Sequence, residues 1–159
     1  MIIILFRHGL AEEAGQLEND AARQLTVTGR RRLAASLPGL RRLLATAGQP
    51  QIWSSPLVRA AETAAILAKG FGDVTIRYLD ALADGNWTEV KKQLLRTNTS
   101  QPVLMVGHEP TLGYWSEQLC GLRLPFKKGS AAAFDQSKNK LNEYELLWFV
   151  QPATLRSLK

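Results

Sequence analysis

The chain contains two histidines, His8 and His108, and each directly follows an apolar run: IIILF leads into Arg7–His8–Gly9 after one arginine, and VLMV leads into Gly107–His108. A neutral imidazole is a competent nucleophile or general base near neutral pH. Arg7 places a planar, permanently charged fork beside His8, a shape that suits phosphate oxygens. Gly9 permits a tight backbone turn and the close approach of an anion. Arg59 falls in the first turn of a predicted helix, where its guanidinium and the free N–H groups of the helix end can face the same anion. His108, followed by Glu109–Pro110, meets a second helix start. Two arginines, two histidines and two helix N-termini make a cage for a dianionic phosphoryl group. Transfer of such a group depends on in-line positioning and on neutralising its equatorial oxygens.

These residues can act together only if the fold converges them. Residues 2–6 are a continuous apolar, β-branched run, the pattern of a strand covered on both faces. Residues 9–24 are polar and irregular and read as a loop. From about residue 28 to residue 47, Leu33, Leu37, Leu40 and Leu44 follow helical spacing, with Pro38–Gly39 expected to kink or divide the helix. Thr26 and Gly29 are expected to open it. Residues 51–54 predict a strand, Ser55–Pro56 a helix start with serine as cap, and residues 57–68 an alanine-rich helix ended by Gly70. A strand at 74–79, a helix at 88–95, a strand at 102–106 and a helix from Pro110 to Cys120 with Gly121 as its cap follow. Two further strands, 131–135 and 144–150, flank a turn near Asn139.

Strand–helix–strand alternation with apolar strands predicts an α/β fold: a three-layer sandwich with a mostly parallel central sheet flanked by helices. Ligands in such folds bind at the carboxyl ends of the strands. Arg7–His8–Gly9, Ser54–Ser55 with Arg59, and Gly107–His108 follow three different strands, so they are expected to meet at one edge of the sheet.

The motifs LFRHGLAEE, LTVTGRRRL, SSPLVRAAET and VLMVGHEPTLG, in this order, resemble those of the histidine phosphatase superfamily, which includes phosphoglycerate mutases and acid phosphatases. The likeness touches most of the chain, and Arg-His-Gly, S-S-P-x-x-R-A-x-x-T and G-H together are specific. Short length, Ala11 two residues beyond RHG, and PFKKGSAAAF are similar to the SixA-type phosphohistidine phosphatases. The resemblance implies a phosphoglycerate mutase-like fold. It also implies that His8 becomes phosphorylated and that Arg7, Arg59 and His108 bind the phosphoryl group, with Gly9 beside it. His108 would in addition steady charge in the transition state. It implies no metal and no cofactor.

One departure bears on the substrate. Many members of the superfamily place a glutamate after the third strand as general acid to a leaving alkoxide; the position here is Ala81, within Leu79-Asp80-Ala81-Leu82-Ala83-Asp84-Gly85. An alkoxide leaves poorly without a proton. The imidazole released from phosphohistidine is readily protonated near neutrality. A site without a strong acid therefore suits phosphohistidine better than a sugar phosphate, and Asp80 and Asp84 are the residues that could still supply a proton.

The bulk properties agree. With 159 residues the chain is expected to form a single domain, residues 1–159, able to bury a core without disulfides. One cysteine, Cys120, permits no internal disulfide and points to a reducing, cytoplasmic setting. Cys120 itself and Trp53, Trp87, Trp115 and Trp148 read as packing residues. The run at residues 1–6 is too short for a signal peptide or a membrane span. A net charge of +6 favours anionic partners. The basic residues come as short clusters, Arg30–Arg31–Arg32, Arg41–Arg42, Lys91–Lys92 and Lys127–Lys128, dispersed in a way that speaks against nucleic acid. Lys127–Lys128–Gly129 could border the pocket and attract an acidic protein.

The leading expectation is hydrolysis of phosphohistidine on a protein of a phosphorelay or phosphotransfer system, by a monomer. Alternatives are a phosphomonoesterase of small metabolites and a non-catalytic phosphate- or phosphoprotein-binding module.

Overall fold

Successive residues of the first strand, β1 (Ile2–Arg7), face opposite sides of a sheet, and both sides are dry. Ile3 and Leu5 enter one apolar cluster, Ile4 and Phe6 another, and all four are fully buried. That is why the segment reads as an unbroken apolar run rather than an alternation. The computed structural model describes residues 1–15, 19–97, 100–136 and 143–158.

The other elements are α1 (Val27–Leu43), β2 (Gln51–Ser54), α2 (Val58–Gly70), β3 (Ile76–Tyr78), α3 (Ala81–Asp84), α4 (Trp87–Leu95), β4 (Val103–Gly107), α5 (Thr111–Cys120), β5 (Ala131–Gln136), β6 (Tyr144–Val150) and α6 (Pro152–Ser157). The six strands form one sheet in the order β3-β2-β4-β1-β5-β6. β3, β2, β4 and β1 pair in parallel, while β5 is antiparallel to β1 and β6 to β5. Helices α1, α2 and α6 supply Leu33, Leu40, Ala60, Leu67 and Leu155 to the cluster on one face. Helices α3, α4 and α5 supply Leu82, Val90, Leu112 and Trp115 to the other. The result is the expected three-layer sandwich with a mostly parallel sheet. Among the described residues, no helix is long and apolar enough to cross a membrane.

Four local expectations change. Helix α1 is not divided at Pro38–Gly39 but runs unbroken to Leu43. Pro38 removes one N–H from the ladder yet stays on the exposed side. Gly39 serves packing: a Cβ there would lie 2.1 Å from the carbonyl oxygen of Leu155, so glycine lets α6 lie against α1. Helix α2 begins at Val58, with Leu57 at its N-cap and no side-chain cap. Ser55 is therefore not the capping residue, and its hydroxyl is used elsewhere. β3 is shorter than expected because it is the exposed edge strand, with Arg77 and Tyr78 outward. Cys120 is only partly buried, its thiol bonded to the Ser116 carbonyl. The turn near Asn139 lies outside the described residues.

Thr26 caps α1 as expected, its Oγ1 accepting the Gly29 N–H at 2.9 Å. Gly121 ends α5 in the left-handed conformation at φ 76°. Trp53 and Trp115 are fully interior, 1% and 2% exposed, and Trp87 packs on Trp115.

Candidate active site

His8, Ser55 and His108 each follow the carboxyl end of a strand, β1, β2 and β4, and these three strands are neighbours in the order β2-β4-β1. The parallel register aligns Arg7 with Gly107 and Ser54 with Val106, so the three loops leave the sheet at one level. The His8 N–H continues the ladder to the Gly107 carbonyl at 3.1 Å, and the Ser55 N–H reaches that of Val106 at 3.0 Å. The two imidazoles consequently face one another with centroids 5.1 Å apart, tilted by 51°.

The Nδ1 of His8 lies 2.8 Å from the carbonyl oxygen of its own neighbour Gly9. A carbonyl only accepts, so Nδ1 carries the proton and Nε2 keeps its lone pair. Gly9 is itself held: its N–H donates to Thr63 Oγ1 at 3.0 Å, and Thr63 donates to the Arg59 carbonyl at 2.7 Å. Thr63 thus braces the peptide that orients His8 against the helix that carries Arg59. Both backbone polar groups of Gly9 are engaged within the protein, so its N–H is not free for an anion. Its glycine identity has a packing cause, since a Cβ would lie 2.6 Å from Leu33 Cδ1. On the other side, Gly129, at φ 84°, donates to the carbonyls of Arg7 and His8 at 3.1 Å.

Arg59 is buried in the first turn of α2 and Arg7 ends β1. Arg59 donates through Nη1 to the Asp20 carbonyl at 3.0 Å, and its Nη2 lies 3.3 Å from the Asp20 carboxylate. Asp20 also holds Arg23 at 2.7 Å. Arg7 Nη1 donates to the Phe126 carbonyl at 2.7 Å. In both guanidinium groups Nε is buried with no partner among the described residues, and so is His108 Nδ1. His108 Nε2 lies 2.8 Å from Ser55 Oγ, which also accepts the Leu57 N–H at 3.2 Å.

The electrostatics keep both rings uncharged. His8 is pushed down to about 3, chiefly by burial, with His108, Arg59 and Arg7 adding to the effect against the Gly9 hydrogen bond. Burial, then Arg59 and Arg7, takes His108 down to about 4. Burial raises the Glu109 carboxyl above its ordinary value, against the charge of Arg7 and the Gly113 N–H that it accepts.

The four residues expected from sequence, Arg7, His8, Arg59 and His108, therefore come together. Asp20, Arg23 and Thr63 complete the site without being expected there, and Ser55, expected at this edge as a helix cap, serves instead as the partner of His108. Ser55 and Thr63 lie in the S-S-P-x-x-R-A-x-x-T motif, which was the available signal for them. Asp20 and Arg23 come from the irregular loop and carry no such signal. Asp80 and Asp84 are both exposed on and before α3, and among the described residues neither bonds to the four. Ala81, at the position of the superfamily's glutamate, is buried against Leu82 and Trp87. Among the described residues no group of three His, Cys, Asp or Glu side chains is placed to hold a metal ion.

Residues 3–109, which carry both histidines and Arg59, match the histidine phosphatase superfamily (branch 1). The chain belongs to this superfamily. An uncharacterized protein of a Picosynechococcus species is 31% identical over 146 residues, covering 89% of this chain and 79% of the relative. Among solved structures, the protein histidine phosphatase SixA complexed with tungstate superposes with a TM-score of 0.78 at 21% identity, over 98% of this chain and 99% of that one. The mycobacterial glucosyl-3-phosphoglycerate phosphatase does so with a TM-score of 0.73 at 17% identity, over 94% and 99%. These likenesses establish the phosphoglycerate mutase-like fold. They span proteins named for protein histidine and for glucosyl-3-phosphoglycerate.

Proposed function

We propose that this member of the superfamily is a phosphatase that hydrolyses phosphohistidine on a protein partner, with His8 as the nucleophile. The observation that carries the reading is the state of His8: a buried, neutral ring whose Nδ1 proton is committed to Gly9, leaving Nε2 as a lone pair within a cage of two guanidinium groups and a second imidazole.

The reaction runs in two displacements. His8 Nε2 attacks phosphorus in line, the new P–N bond forms as the bond to the substrate imidazole breaks, and that imidazole leaves with its electron pair and takes a proton from solvent. Water then attacks the phosphoryl group on His8, its proton goes to solvent, and inorganic phosphate departs as Nε2 regains its lone pair. Arg7, Arg59 and His108 bind the equatorial oxygens throughout. The buried Nε groups of Arg7 and Arg59 and the Nδ1 of His108 are donors suited to that charge. Ser55 supports His108: with the Leu57 N–H donating to its oxygen, its own proton can go to Nε2, which sets the ring proton on Nδ1.

The preference for a P–N over a P–O bond rests on Ala81 and on the exposed positions of Asp80 and Asp84, which leave no acid at the customary place. The second reading, a phosphomonoesterase of small metabolites, has one observation in its favour. Glu109, next to His108, has a carboxyl raised by burial and sits in the field of Arg7. Phosphohistidine and p-nitrophenyl phosphate hydrolysis by wild type, His8→Ala and Glu109→Gln separates the two. The proposal expects phosphohistidine to be the better substrate, His8→Ala to abolish turnover and Glu109→Gln to leave it largely intact. Dominant ester hydrolysis that is lost in Glu109→Gln would establish the esterase instead.

A further inference from the structure

A concavity of about 140 Å³ is lined by Gly9, the neighbour of His8, and by residues of α1, α6 and the approach to β5. Gly9, whose carbonyl orients the His8 ring, and Gly129, whose N–H holds the His8 carbonyl, both line it. Arg32 from α1, Lys128 from the approach to β5 and Arg156 from α6 stand around it, and no acidic residue lines it. Arg32 and Lys128 are exposed and Arg156 is half-buried. Among the described residues none of the three is paired with a carboxylate. The contrast with the rest of this face is informative: Arg23 and Arg59 share Asp20, and Arg30 is paired with Glu62. Three like charges around one small cavity repel each other, and an anion placed among them relieves that repulsion.

We propose that this cavity takes one acidic side chain of the phosphohistidine-bearing protein, anchoring the substrate beside the nucleophile; the inference rests on the reading of the preceding section. Size selects the class of ligand. Pockets for whole small molecules run to about 300–1,000 Å³, so 140 Å³ suits a single carboxylate and the end of its side chain. The rest of the ligand must then lie outside. Only a substrate extending across the surface reaches this cavity and His8 at once, which a protein does and a small phosphate ester does not. The Lys127–Lys128–Gly129 segment thereby has a binding role through Lys128, while Gly129 serves the backbone.

The test compares wild type with Arg32→Glu/Lys128→Glu, neither residue belonging to the phosphoryl cage. Three substrates are used: free phosphohistidine, a phosphohistidine peptide flanked by glutamates, and the same peptide with alanines. The anchor predicts that charge reversal lowers kcat/KM about tenfold for the glutamate peptide, mainly through KM, as expected for loss of a few exposed charge contacts. Free phosphohistidine and the alanine peptide stay within about twofold. Equal losses on all three substrates, or no loss on the glutamate peptide, overturn it. If wild type turns over none of them, the catalytic reading fails and the anchor is tested by itself. The unphosphorylated glutamate peptide is titrated while the amide resonances of Gly9 and Gly129 are followed. Shifts in wild type that vanish on charge reversal support the anchor, and unmoved resonances in wild type overturn it.

Discussion

Replacing Thr63 by valine keeps the shape of the side chain and deletes one hydroxyl, which makes it a sharp probe of how the nucleophile is held. Thr63 is fully buried, and its Oγ1 is the acceptor for the Gly9 N–H at 3.0 Å. The Arg59 carbonyl, which receives the Thr63 proton, belongs to the first turn of α2 and keeps its helical partner, so little is lost there. The cost is concentrated on Gly9, whose buried N–H is left without an acceptor. An unsatisfied buried donor costs about 1–3 kcal/mol. At about 2 kcal/mol, and about 2–4 °C per kcal/mol for a chain of this size, Tm should fall by roughly 4–8 °C. The kinetic effect follows from the same peptide, because the Gly9 carbonyl orients His8 through Nδ1. A displacement near 1 Å at a reacting group can cost on the order of a hundredfold, so kcat should fall by roughly ten- to a hundredfold. Thermal melts and steady-state kinetics with phosphohistidine measure the two quantities, and Thr63→Ser, which retains the hydroxyl, should recover most of each. A stability change under about 0.5 kcal/mol together with an unchanged kcat would refute the brace.

Other perturbations address different parts of the site. Ser55→Ala removes the partner of His108 Nε2 and should lower kcat about tenfold with little change in KM, as expected for an interaction that matters most in the transition state. Asp20→Ala frees Arg59 and Arg23 from their shared carboxylate and should raise KM for phosphohistidine several-fold; urea melts should shift by less than about 1 kcal/mol because the carboxylate is exposed. Gly29→Ala sets a Cβ 2.1 Å from the Leu10 carbonyl oxygen, and equilibrium unfolding should show a loss of about 3 kcal/mol or more. The two rings are held at about 3 and about 4, below the ordinary 6.5. Between pH 6.5 and those values the unfolded chain binds protons that the folded chain refuses. Stability is therefore full above pH 6.5 and falls with acidification, by up to about 1.4 kcal/mol per pH unit for each ring. Urea melts between pH 7 and pH 4.5 should show this slope, reduced in His8→Ala.

Much of this site is written in the sequence because its parts are local. Each of Arg7, His8 and His108 adjoins an apolar strand, and the rule that parallel strands present their carboxyl ends together brings them to one edge. What remained hidden is what depends on tertiary approach. Asp20 belongs to a loop without periodicity, and only its placement against α2 makes it a partner of Arg59. Ser55 reads as a helix cap because Ser-Pro is a good local helix start, but the β2–β4 register puts its hydroxyl against His108. Pro38–Gly39 reads as a break because local propensity disfavours both residues in a helix, yet α6 packs on Gly39 and holds α1 continuous. Gly9 reads as a turn residue, whereas the constraint on it is the Leu33 side chain.

The reversed direction of β5 has a consequence for how such an enzyme can change its clientele. Parallel strands deliver only their outgoing loops to the catalytic edge, but an antiparallel neighbour of β1 begins where β1 ends, so its incoming segment arrives there too. That segment runs from Gly121, where α5 stops, to Ser130, and from it come the Phe126 carbonyl bonded to Arg7 and the Gly129 N–H bonded to His8. Residues 121–123 and 125 are exposed, so additional residues inserted there would project into solvent at this edge without disturbing a single rung of the sheet. The architecture thus lets the segment beside the chemical floor vary in length while the floor itself stays on the sheet.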